Sequence, residues 1–448
     1  MTKSFASSST QTGSIRPSSP PIGPLIAVRT LGCKVNQVES EGILATLVGQ
    51  GARLAEEHLA ALILINTCTV TGEADRKARK AVRHALSQPQ APLVLVTGCL
   101  ATIDAGALQS LGDRVVIEAD KRQIPATVAA LLDFEPRAHV HVLRAGAEFH
   151  TRAMLKVEDG CDNHCTYCIV PSARGVPRSE PMASLLDEAR SLVLAGTSEI
   201  VITGINVGRY RDLETGADLA DLLVALAQTG VDRLRLSSIE PQDLTAKLLC
   251  VMASLPGFCP HLHVPLQSGS DKVLFAMGRR YTAAEYLGRI SAAKAALSSL
   301  AVTTDVLVGF PGEDESDLAA TLDVCASVAF SKIHVFRYSR RPGTPAAQMP
   351  DQLSPEVIAA HALRVRQFAE ELRTEWLEGL IGTSLEVLVE KERDEGVIEG
   401  TSAQYAKVRM TPGFGPAPGA GQTVSVKIVG RDGGVLLGDP HKGDVAPA

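Results

Sequence analysis

Aromatic residues are scarce. One Trp, six Tyr and ten Phe make up 4% of 448 residues, while Ala, Val and Leu abound. That balance favours tight helix–sheet packing over an aromatic-rich sandwich. No apolar run reaches the roughly 18 residues that span a bilayer. The first twenty residues, rich in Ser, Thr and Pro, lack the apolar centre of a signal peptide. They read as part of a disordered tail, residues 1–23, on a cytoplasmic protein. There is no excess of positive charge: the net charge is −6. The whole molecule is therefore not an evident nucleic-acid binder, and any such binding needs local basic patches. Finally, "GCDNHCTYC" brings three cysteines close together, Cys161, Cys165 and Cys168, and supplies no fourth. A structural zinc site or an ordinary iron–sulfur cluster wants four ligands.

What is present is globular in kind, with 45% apolar and 21% charged residues. The length suggests two or three domains. Nine cysteines in an intracellular chain point to metal or catalysis before disulfides.

From Leu25 to about Leu132, apolar runs ("LIAVRT", "AALILIN", "APLVLVTG", "RVVIEA") alternate with helical stretches. One helix is expected from about Glu39 to Gly49 and another over "GEADRKARKAVRHAL". The alternation predicts a doubly wound parallel sheet of α/β class. Cys33, Cys68 and Cys99 each follow a strand by one to three residues, so they converge on the carboxyl edge, where such sheets bind ligands. Three unrelated buried thiols are the alternative.

From about Thr151 to Arg373, further strand–helix units predict a complete or partial β/α barrel, with the three-cysteine loop after its first strand. Asn206, Glu240, Gln267, Asp305 and Gly309 fall where strands end. The first three are candidates to hold a cofactor, or they satisfy loop backbone. Beyond Gly382, short alternating segments separated by Gly- and Pro-rich turns predict a small antiparallel β-barrel. The resulting domains are residues 24–140, 147–378 and 380–442.

Three thiolates on a four-iron cluster leave one iron open for a substrate or cofactor. A zinc knuckle with His164 or a distant cysteine is the competing reading. The C-x-x-x-C-x-x-C loop after a first barrel strand, with Tyr167 before its last cysteine, resembles the radical S-adenosylmethionine superfamily. "LGCKVNQVES", "INTCTVT", "VTGCLA", "GCDNHCTYCIVPSARG", "HLHVPLQSGS", "TTDVLVGFPGE" and "RYSRRPGTPAA" together, in this order, resemble the radical-SAM methylthiotransferases over about residues 25–440. "GCKVN" resembles the MtaB-type branch, which modifies threonylcarbamoyladenosine beside the tRNA anticodon. Sister branches act on isopentenyladenosine or a ribosomal-protein aspartate.

The resemblance implies an N-terminal methylthiotransferase domain, a radical-SAM core and a C-terminal TRAM barrel. It implies two 4Fe–4S clusters, one on Cys33, Cys68 and Cys99 and one on Cys161, Cys165 and Cys168. It also implies two S-adenosylmethionine molecules, one to methylate a sulfur and one to yield a radical that takes hydrogen from C2 of the adenine. No general acid–base dyad is needed, and no catalytic side chain is assigned. Tyr167, Asn206, Glu240 and Gln267 are the cofactor candidates. The implied partners are tRNA, an electron-donor protein and a sulfur donor, and no membrane.

For RNA, Arg76, Arg79, Lys80 and Arg83 recur at helical spacing on one face just beyond Cys68. A solvated charged face is the alternative. Arg174, Arg178, Arg279, Arg280, Arg340 and Arg341 are further candidates. Cys250, Cys259 and Cys325 have no ligand spacing and read as structural. A metal-bearing RNA-binding module without catalysis is the reading from another class.

Overall fold

Every residue of the strand Leu62–Thr67 is buried, a pattern that needs cover on both faces and so a parallel sheet between helices. The computed structural model, described over residues 23–136, 151–392, 397–410 and 418–440, has that sheet. Its strands lie in the order Arg53–Leu54, Leu25–Thr30, Leu62–Thr67, Leu93–Gly98 and Val115–Ile117, all parallel. Chain direction across the sheet reverses beside Leu25–Thr30, so a ligand crevice opens at the carboxyl ends there. The expected helix at Glu39 begins earlier, at Lys34, with Cys33 as its N-cap residue. The helix Gly72–Leu86 matches its expected span. Thr71 caps it, accepting from the Ala74 N–H at 3.1 Å.

Six parallel strands follow: Arg152–Lys156, Glu199–Thr203, Arg233–Leu236, His261–His263, Ala301–Val308 and Lys332–Arg337. Isolated bridges Leu234–Phe258 and Ser238–His263 join the two halves. Among the described residues the last strand does not pair with the first, so the barrel is partial. A single large apolar cluster of Leu155, Ile202, Leu236, Val306 and their neighbours fills it.

The helix Pro355–Gly379 leads to five strands, Ser384–Glu392, Ile398–Ser402, Lys407–Met410, Val435–Pro440 and Thr423–Asp432, closed into a barrel in that order. An odd number of strands cannot close with every neighbour antiparallel. The pair Lys407–Met410 and Val435–Pro440 is accordingly parallel.

This small barrel sits under the amino ends of the core strands. Arg235 donates to the Ala403 and Ser402 carbonyls at 2.8 and 3.2 Å. Arg152 pairs with Glu390 at 2.9 Å. Arg235 itself is buried against Glu199 at 2.7 Å. Burial opposes ionisation of Glu199, but Arg235, Arg233 and Arg152 outweigh it and hold the carboxyl below its ordinary range.

Residues 1–22 of the expected tail lie outside the described residues. Among the described residues no helix is long and apolar enough to cross a membrane.

Candidate active site

At Gly160 the chain leaves the first core strand with φ +92°. A Cβ there would stand 2.2 Å from the Val176 carbonyl oxygen, so the three-cysteine loop needs glycine to start. Within the loop, the Asn163 N–H donates to Cys161 Sγ at 3.4 Å, and Arg279 Nη1 donates to Cys165 Sγ at 3.4 Å. Arg279 is held by Glu240. Burial pushes the Cys161 thiol up to about 11 and the Cys168 thiol up to about 12. Such thiols ionise readily only with a cation to bind.

Across the N-terminal sheet, Cys33, Cys68 and Cys99 sit at the carboxyl ends of three neighbouring strands. Gly32, at φ +106°, lies so close that a Cβ would meet the Cys68 Cβ at 2.5 Å and its Sγ at 3.1 Å. The Cys68 thiol is pushed up to about 11, first by burial and then by its neighbours Cys99 and Cys33.

The two triplets are adjacent. The helix Cys99–Ile103 packs on the helix Val170–Arg174, which begins just after Cys168. Arg174 ends that helix with a buried guanidinium. It pairs with Glu39 and Asp159, each at 2.9 Å, and donates to Asn36 Oδ1 at 2.5 Å. It also acts on the Cys99 thiol, opposing the rise that burial imposes. Lys121 and Lys156 reach the same Glu39 at 2.5 and 3.3 Å. The carboxyl stays below its ordinary range although burial works against it. A second seam joins Arg341 to Thr69 at 2.5 Å and to Asp75 at 2.8 Å. Both cysteine triplets therefore face one interdomain junction.

Comparison with known proteins places this geometry. Residues 155–325 match the Radical SAM superfamily and residues 25–117 match an uncharacterized protein family, UPF0004. The chain is 34% identical to the threonylcarbamoyladenosine tRNA methylthiotransferase MtaB of Thermotoga maritima, over 91% of this chain and 95% of that one. It is 36% identical to the tRNA-2-methylthio-N(6)-dimethylallyladenosine synthase of Mycobacterium ulcerans, over 92% of this chain and 86% of the relative. The chain belongs to the radical SAM methylthiotransferases. The radical SAM methyltransferase TsrM of Kitasatospora setae, solved with cobalamin and a [4Fe-4S] cluster, aligns with a TM-score of 0.53. That alignment covers 72% of this chain and 77% of TsrM at 15% identity, and supports the fold alone.

Membership in the radical SAM methylthiotransferases implies S-adenosylmethionine and a 4Fe–4S cluster, and the residues present fit both. N–H donors aim at two of the three loop sulfurs. Around the barrel mouth, Asn163 Oδ1, Asn206 Oδ1 and Gln242 Oε1 are buried acceptors without a partner, suited to an amine or to ribose hydroxyls. Among the described residues no three His, Cys, Asp or Glu side chains form a group able to hold one metal ion. His164 is exposed. Cys161, Cys165 and Cys168 are the three thiols that would hold such a cluster.

The other candidates divide. Asn206 is buried, its N–H donates to Glu158 at 2.7 Å, and its Nδ2 lies 4.0 Å from Cys161 Sγ. Glu240 is engaged by Arg279. Tyr167 sets its ring edge-on to Phe310, with centroids 6.4 Å apart. Gln267 has φ 68° and pairs through its backbone with Asp305 and Leu307. Arg76, Lys80 and Arg83 are exposed on their helix, while Arg79 pairs with Asp104 at 2.8 Å.

Three of the further RNA candidates are corrected. Arg174, Arg279 and Arg341 are buried in ion pairs and cannot reach a phosphate. Charge alone in a sequence does not distinguish a buried guanidinium from a solvated one. Cys259 and Cys325 are buried, and Cys250 is exposed.

Proposed function

We infer that this chain attaches a methylthio group to C2 of N6-threonylcarbamoyladenosine beside the anticodon of tRNA. The observation that carries the reading is the packing of the Cys99-bearing helix on the helix that follows Cys168. It supports two clusters serving one nucleobase. Cys161, Cys165 and Cys168 would hold one 4Fe–4S cluster, and Cys33, Cys68 and Cys99 a second. When bound, the clusters and two S-adenosylmethionine molecules supply a methylated sulfur and a radical able to take hydrogen from C2.

The chain's own part is placement. Arg174, with Glu39 and Asp159, fixes the distance between the two halves. Arg279 and the Asn163 N–H donate hydrogen bonds to thiolate sulfur. Asn206, Tyr167, Glu240 and Gln267 are the candidates for S-adenosylmethionine, Glu240 beside Cys165 and Arg279 in the pocket at the three-cysteine loop. Arg76, Lys80 and Arg83 offer an exposed basic face for phosphates, and Arg79 supports it. A one-electron donor protein and a sulfur donor complete the reaction, in the cytoplasm. The functional units are residues 24–140, 147–378 and 380–442.

The motif "GCKVN" and the match along nearly all of the Thermotoga maritima MtaB support the threonylcarbamoyladenosine substrate. The Mycobacterium ulcerans relative, similar to the same degree, keeps the dimethylallyl substrate as the second reading. Nucleoside mass spectrometry of tRNA from a deletion strain decides between them. Loss of the methylthio group from threonylcarbamoyladenosine is expected. Its persistence there, with loss from the dimethylallyl nucleoside, refutes the assignment. Iron counts test the cluster number: about eight per chain in the wild type and about four in Cys33→Ala and in Cys161→Ala are expected for two four-iron clusters.

A further inference from the structure

Lys34, next to Cys33, lines a cavity of about 460 Å³ together with Thr30, Gly32 and Cys33. Its ammonium stands 5.6 Å from the centre of the Tyr405 ring. Two other cations share that ring, Arg235 at 4.9 Å and Arg152 at 5.4 Å. Both are neutralised: Arg235 by Glu199 at 2.7 Å and Arg152 by Glu390 at 2.9 Å. Among the described residues Lys34 has no carboxylate partner. Glu41, on the cavity wall, accepts from Gln37 at 3.1 Å.

A half-buried ammonium without a carboxylate partner is unfavourable unless an anion joins it. A second unsatisfied group lies beside the same ring. His261 stacks on Tyr405 with centroids 4.7 Å apart, and its Nε2 meets Thr303 Oγ1 at 3.1 Å. Its Nδ1 is buried and has no partner.

An unpaired cation and an unpaired ring nitrogen together suit a ligand arm that bears a carboxylate and a further polar group. An N6-threonylcarbamoyl arm carries a carboxylate and a hydroxyl. C2 and N6 share one edge of adenine, so a base whose C2 meets a centre at Cys33 can extend its arm toward the neighbouring lysine. A dimethylallyl arm would leave both groups desolvated and unpaired, the situation in which a polar site rejects an apolar analogue.

We propose that Lys34 selects the substrate, its ammonium pairing with the carboxylate of the threonylcarbamoyl arm while His261 Nδ1 meets a second polar atom of that arm. This rests on the substrate reading given above.

The test uses reconstituted full-length protein and anticodon stem-loop RNAs. The RNAs carry threonylcarbamoyladenosine, its methyl ester or dimethylallyladenosine. Binding is read by fluorescence anisotropy, and turnover is read separately. In the wild type the ester should bind about tenfold to a hundredfold more weakly than the acid, the range expected for a charged hydrogen bond. In Lys34→Met and Lys34→Gln the acid-to-ester ratio should fall toward one at wild-type iron content. Lys34→Arg should keep part of it. An unchanged ratio in iron-replete Lys34→Met overturns the proposal. So does loss of iron in all three variants, which would assign the lysine to cluster assembly. A wild-type protein that modifies the dimethylallyl RNA and ignores the threonylcarbamoyl RNA overturns the substrate reading itself.

Discussion

Arg174→Met removes a guanidinium whose side chain is 4% exposed and which holds Glu39 and Asp159 at 2.9 Å each. Deleting one partner of a buried ion pair typically costs about 3–5 kcal/mol, because the other charge is left uncompensated. Glu39 retains Lys121 and Lys156, and Asp159 retains Lys156 at 3.1 Å. The low end, about 3 kcal/mol, is therefore expected. That is a shift of roughly two orders of magnitude in the equilibrium between docked and opened halves.

A multidomain chain has no single unfolding free energy, so the assay is amide hydrogen exchange read segment by segment. Protection of the helix Lys34–Gly49 should fall roughly a hundredfold, the same two orders of magnitude. The buried strand Leu62–Thr67 should hold its protection. Arg174→Lys, which keeps the charge and loses the planar fork, should fall between. Equal protection of Lys34–Gly49 in wild type and Arg174→Met would refute the view that this arginine fastens the two halves together.

Three further outcomes are expected. Glu199→Gln should destabilise the core by about 3–5 kcal/mol at pH 7, because Arg235 and Arg233 lose a fully buried partner. The carboxyl's folded value lies below its ordinary 4.5, so its contribution is complete above about that pH and is lost as pH falls through the folded value. The melting temperatures of wild type and variant should thus converge only in acid, and a gap that stays constant from pH 7 to pH 3 would contradict this. Gly32→Ala drives a methyl into Cys68 and should lower iron content by about half while leaving the Cys161 loop loaded; full iron retention would count against the crowding argument. Arg279→Met removes the donor to Cys165 Sγ and leaves Glu240 unpaired; it should shift the reduction potential of the loop's cluster, measured by redox titration followed by paramagnetic resonance, and an unchanged potential would remove Arg279 from that role.

The periodic parts of the fold were legible from sequence. Leu62–Thr67 and Leu93–Gly98 announce themselves as apolar runs, and Gly72–Leu86 as a capped helix. The first turn of Lys34–Gly49 was not, because "KVNQV" has no side-chain cap and Cys33 fills the N-cap position. The edge strand Arg53–Leu54 is two exposed residues long and carries no periodic signal. The cysteine spacings pointed to both triplets, since strand ends and a dense loop are local features. The residues that join the halves were missed or misread. Glu39, Lys121, Lys156 and Arg174 are 135 residues apart at their extremes, and their meeting is a product of docking rather than of any local pattern. Lys34 stood beside a noticed cysteine, yet nothing in its neighbours in sequence shows that its carboxylate partner is missing.

The small terminal barrel is seated through the core's own buried charges: Arg235 spends two donors on its carbonyls, and Tyr405 covers the ring of His261. Cutting the chain after Gly379 would expose that charged floor to solvent and uncover the underside of the chamber. A truncated enzyme that no longer modifies RNA would therefore say little about whether the barrel grips RNA. Only surface substitutions that spare the seat can separate the two roles.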